Sequence, residues 1–98
     1  MTETHTGIAV TDRVRARVAD LLGGRDLDPA DDATPLADLD PDRYDSLGVL
    51  DCVAAVEDEF DISIDLVDDD LRVTFRSVSS ISELVRRRLA DAEALGWT

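Results

Sequence analysis

The sequence predicts an all-α domain: a small four-helix bundle of three main helices and a short third one, with a long loop after helix one. Three observations carry this. Apolar residues recur every three to four positions over residues 14–22 and 46–60. Aromatics are only 4% of the chain against 44% hydrophobic, so the core is aliphatic, which suits small packed helices. The alternating segments amount to one hairpin at most, and a lone hairpin is marginal in water.

The elements follow in order. Residues 1–10 are expected to be a disordered tail, and residues 11–95 one folded domain. Thr11 offers an N-cap, with Asp12 in the first turn where the helix dipole favours an acid. Val14, Val18, Leu21 and Leu22 form the buried stripe, flanked by Arg13, Arg15 and Arg17. Gly23-Gly24 closes this helix.

Asp26 to Asp45 holds all three prolines and eight aspartates and reads as a loop anchored by Leu36 and Leu39. Loops of this length in small domains tend to be functional. From Ser46 to Phe60 the helical period is strong. Val49, Leu50, Val53, Val56 and Phe60 share the core face, and Leu47, Asp51, Ala54 and Asp58 form a neighbouring ridge.

Ile62, Ile64 and Leu66 alternate with polar residues, as do Val73 and Phe75. The preferred reading is an extended loop leading to a short helix near Asp69–Phe75. Ser80-Ile81-Ser82-Glu83 matches a capping box and is expected to open a last helix, with Leu84, Val85 and Leu89 inward and its end near Gly96.

Charge narrows the functions. The net charge is −13, and it is concentrated: net −16 between Asp26 and Asp70, where Arg43 is the one base, and +3 elsewhere. Nucleic acid and anionic membranes both demand a basic footprint, so neither is an expected partner. No apolar run approaches the roughly 20 residues of a membrane span, and the polar start lacks the basic residues of a signal or transit peptide. A cytoplasmic protein is expected. Cys52 is the only cysteine and His5 the only histidine, which excludes a cysteine zinc site and argues against histidine-assisted nucleophilic catalysis. An enzyme is therefore not expected. The bases are all arginine, with no lysine, asparagine or glutamine, as a GC-rich genome would give.

Asp45-Ser46-Leu47 stands where the acidic loop becomes the long helix. A hydroxyl there lies beside free N–H groups and the positive dipole end, where a phosphate is electrostatically welcome. Taken alone, the triplet is equally the mark of a simple serine cap.

The wider stretch, residues 45–60 followed by Ile62 and Ile64, resembles the acyl carrier protein family. Asp51, the run Glu57-Asp58-Glu59-Phe60, Ile64, Leu71, Phe75, Val78 and the segment Ala33–Leu39 add to the likeness, which covers about residues 8–90. In that family the serine of the triplet receives 4′-phosphopantetheine from coenzyme A. The resemblance places the attachment on Ser46, with Asp45 and Leu47 beside it. It implies a carrier that holds an acyl group as a thioester, with Leu47, Asp51, Ala54, Glu57, Asp58 and Ile64 as the docking face. The implied partners are a phosphopantetheinyl transferase and then acyltransferase, ketosynthase or adenylating enzymes with basic surfaces. A monomeric, discrete carrier of polyketide or other natural-product biosynthesis is the expected setting.

The chain also departs from the family. Asp40-Pro41-Asp42-Arg43-Tyr44 is longer than the usual link, Gly48 replaces a common acid, Cys52 a leucine and Ala54 a methionine. Gly48 also resembles D-alanyl carrier proteins, which leaves an aminoacyl or aryl cargo as an alternative. Two rival readings stand beside the carrier. A calcium loop over Asp38, Asp40 and Asp42 lacks the glycine and glutamate such loops need, with Arg43 and Val49 in their places. An unmodified acidic adaptor that binds basic proteins remains the second reading.

Overall fold

The computed structural model describes residues 7–65 and 70–95. Among the described residues five α-helices follow one another: α1 (Gly7–Leu21), α2 (Leu36–Leu39), α3 (Ser46–Phe60), α4 (Leu71–Thr74) and α5 (Val78–Leu95). Among the described residues there is no strand. The fold is all-α, and among the described residues no helix is long and apolar enough to cross a membrane. Met1–Thr6, with His5, the stretch 66–69, which holds Leu66 and the expected helix start at Asp69, and the chain end from Gly96 lie outside the described residues.

α1 starts earlier than the tail assignment predicts. Gly7–Val10 are helical, and Thr11 lies inside the helix rather than at its cap. The reason is packing. Val10 is buried and extends the stripe of Val14, Val18 and Leu22 by one more step of four. The glycine pair ends α1 as expected. Gly23 and Gly24 have φ of 87° and 78°, and the bonds Gly24 N to Ala19 O (2.9 Å) and Gly23 N to Asp20 O (3.2 Å) form a Schellman motif.

α1 packs on both α3 and α5. Its valines meet Val53, Val56 and Phe60 from α3 and Ile81, Leu84 and Val85 from α5 in one continuous core. Leu50 is a correction: it is 47% exposed, because the buried face of α3 narrows to Cys52, Val53, Val56 and Phe60. The start of α5 is a second correction. The helix opens at Val78, and the capping box is Ser77 with Ser80, not Ser80 with Glu83. Ser80 N donates to Ser77 Oγ (3.2 Å) and Ser77 N to Ser80 Oγ (2.9 Å). A serine has taken the reciprocal role usually held by glutamate.

The arginines of α1 fold onto the acidic centre. Arg15 makes a two-pronged bond to Asp32 (2.8 and 2.7 Å) in a largely buried setting. Arg13 reaches Glu59 at 2.8 Å and lies 4.4 Å over the Phe60 ring. Part of the charge asymmetry is thus an internal stitch between α1, the loop and the end of α3. Leu36, fully buried as the sequence suggests, donates its N–H to Arg76 O, and Ser79 N bonds Asp32 O. The long loop is tied down at both places.

Candidate functional site

The site is built at the N-terminus of α3. Asp45 is the N-cap: its backbone is extended (φ −89°, ψ −164°) and its Oδ1 accepts from Gly48 N at 2.9 Å. Ser46 is therefore the first helical residue, and its exposed hydroxyl is not used as a cap. The N–H groups of Ser46 and Leu47 have no partner within the helix, as the first turn of any helix requires. Leu47 is 71% exposed next to the serine. The simple-cap reading of Ser46 gives way, because Asp45 fills that role.

The segment before Ser46 is held firmly, and its two departures explain each other. A Cβ on Gly48 would come within 2.0 Å of the Arg43 carbonyl oxygen. Only glycine lets the Asp40–Tyr44 turn lie this close to α3. The Arg43 side chain crosses to Gly23, and Arg43 N donates to Asp40 Oδ1 at 3.2 Å. Arg25 adds a bond to Leu39 O at 2.9 Å and approaches Asp40 at 3.6 Å.

Tyr44 completes the anchor. Its ring is buried and its hydroxyl donates to the backbone oxygen of Phe75. The aliphatic core expected from composition thus admits one tyrosine, which sequence reasoning missed. Its position next to the long helix, in a turn with few other apolar residues, is the signal available in the sequence.

Cys52 is fully buried beside Tyr44. Burial pushes the thiol up from 9.0 to about 12, against a smaller lowering by Tyr44. Burial also raises the Tyr44 phenol, with Cys52 adding to the effect. Both groups are held neutral in the fold. The stability linked to the thiol is complete below its unfolded pKa and is lost as pH rises through about 9 toward 12, with the phenol's share lost at still higher pH. Urea titrations at pH 7 and pH 10 should show lower stability at pH 10, and Cys52→Ala should lessen the fall. In the native state at pH 8 the thiol should resist alkylation.

The ridge of α3 lies as the sequence places it. Leu47, Asp51, Ala54 and Asp58 are all exposed along one row. Glu57 is half-buried, and its Oε2 accepts from Ile64 N at 2.8 Å, closing the chain after α3. Ile64 is a correction: it is buried in the core and cannot serve as a docking residue. Asp58 lies 3.9 Å from Arg17, whereas no partner of the Asp51 side chain falls among the described residues.

Comparison with family models, with curated proteins and with solved structures finds no match.

Proposed function

We propose that this chain is a carrier of the acyl carrier type, with 4′-phosphopantetheine attached to Ser46. In this reading α1, α3, α4 and α5 are the four helices of a small bundle, and α2 is a single turn inside its loop. The observation that supports it best is the state of Ser46. Its hydroxyl is exposed at the first turn of α3, the cap beside it is supplied by Asp45, and the preceding turn is fixed by Gly48 and Tyr44. A phosphodiester formed there meets the positive end of the helix dipole and two free N–H groups.

The carrier itself would break or make no bond of the cargo. A flexible thiol-ended arm would raise the cargo's effective concentration at each enzyme and leave the choice of enzyme to docking. The exposed ridge of Leu47, Asp51, Ala54 and Asp58 offers an apolar start and two acids to basic partners: the transferase first, then acyltransferase, ketosynthase or adenylating enzymes. Such contacts give fast, salt-sensitive association. The setting we infer is a monomer in the cytoplasm.

The test is labelling with fluorescent coenzyme A, magnesium and a broad-specificity phosphopantetheinyl transferase. The wild-type chain should take up label, and Ser46→Ala should take up none. Docking is tested by Asp51→Arg, the cleaner charge reversal because Asp58 also faces Arg17. It should slow loading about tenfold at low salt while leaving the thermal midpoint within a few degrees. Unchanged loading kinetics would refute the assigned face.

A further inference from the structure

The acids that follow Ser46 along α3 are Asp51, Glu57, Asp58 and Glu59, and they are not equally free. Glu57 accepts from Ile64 N at 2.8 Å. Glu59 accepts from Arg13 Nε at 2.8 Å. Arg17 stands between the last two acids, with Nη2 3.9 Å from Asp58 and Nη1 3.9 Å from Glu59. Arg13 is fixed beside it: its Nη2 donates to the Glu59 carbonyl at 2.8 Å and its guanidinium lies 4.4 Å over the Phe60 ring. Cations at this end of α3 also meet the negative end of its dipole. Asp51 differs, since it is exposed and no partner of its side chain falls among the described residues.

Asp51 and Asp58 are seven residues apart, about 10 Å along the helix axis at roughly 1.5 Å per residue. Charges in solvent are screened over about 8 Å at physiological salt. The two ends of the ridge therefore present separate fields. Near Ser46 an open acid stands with Leu47 and the half-exposed Leu50. Two turns on, the acid is already shared with a cation from α1.

We propose that Arg17 is a specificity-determining residue of this ridge. It admits protein partners that bring an apolar contact and a single cation to Leu47 and Asp51, and it disfavours partners whose row of cations runs on to Asp58. A second cation there must displace Arg17 or lie against it. Discrimination then comes from the charge that repels as well as from the acid that attracts. This inference deepens the docking face of the carrier reading and rests on it.

The experiment titrates the full chain, at physiological salt, with two synthetic helical peptides of the same apolar stripe, followed by amide NMR. One carries a single arginine, the other three arginines at four-residue spacing. On the wild type both should shift Leu47 and Asp51 and bind within about twofold of each other. Arg17→Gln keeps much of the aliphatic stem. It should extend the shifts to Asp58 and tighten the three-arginine peptide about three- to fivefold relative to the other, the value of one exposed ion pair. Adding Asp58→Asn should abolish that gain. Ser46→Ala should give the wild-type result, so failure of loading and failure of this proposal show separately. A three-arginine peptide that already prefers the wild type tenfold and shifts Asp58 overturns the proposal. So does a gain that survives Asp58→Asn, or shifts confined to other faces.

Discussion

Tyr44→Ala should destabilise the fold by about 3–5 kcal/mol, the range for truncating a buried aromatic. Tyr44 is 7% exposed, its ring sits beside Cys52, and its hydroxyl is the donor to the buried Phe75 carbonyl. The truncation opens a cavity and orphans that oxygen together. For a domain of this size the thermal midpoint should fall by at least about 12 °C. Tyr44→Phe separates the two effects: it keeps the ring and loses only the donor, a cost of about 1–3 kcal/mol. The order wild type, Tyr44→Phe, Tyr44→Ala should appear in urea midpoints. A Tyr44→Ala loss under 1 kcal/mol would show that the ring does not anchor the turn before Ser46.

Gly48→Ala makes a prediction in which the sign alone is informative. Helix propensity favours alanine by up to about 1 kcal/mol, so a glycine in an open first turn would be improved by the change. Here the added methyl meets the Arg43 carbonyl at 2.0 Å, and backbone cannot swing aside as a side chain can. Overpacking of this kind costs about 1–3 kcal/mol and displaces the chain. The midpoint should therefore drop, and loading of Ser46 should slow beyond what the stability loss explains. A midpoint that rises would mean that the Asp40–Tyr44 turn does not press on α3.

These two residues also show where sequence reading stops. The helices were legible because their stripes are periodic: Val14, Val18 and Leu22 in α1, Val53, Val56 and Phe60 in α3, Leu84 and Val85 in α5. The buried Leu36 was legible, with Leu39, as one of the few leucines in an aspartate-rich loop. The helix starts were less so. Val10 belongs to the stripe of α1 but stands before a good capping residue, Thr11, and packing overrode the cap. At α5 two overlapping Ser-x-x patterns competed, and the one with glutamate lost to Ser77 with Ser80. Leu50 and Ile64 were misplaced because a short helix face and the loop after it do not fix which apolar side chain turns inward. The Gly48–Arg43 contact is not periodic at all. It joins two backbones brought together by the turn, and no spacing rule reports it.

At the site, Ser46, Leu47, Asp51, Ala54 and Asp58 stand exposed along one side of α3. The roles of Asp45 as cap and of Glu57 as the acceptor for Ile64 N needed the geometry.

The central claim is that Ser46 is an attachment point. Intact mass of the chain after incubation with coenzyme A, magnesium and a phosphopantetheinyl transferase tests it most directly. The carrier reading predicts a gain of one phosphopantetheine, mapped to the peptide holding Ser46 and absent in Ser46→Ala. No gain under conditions that load other carriers, or a gain that survives Ser46→Ala, would contradict it.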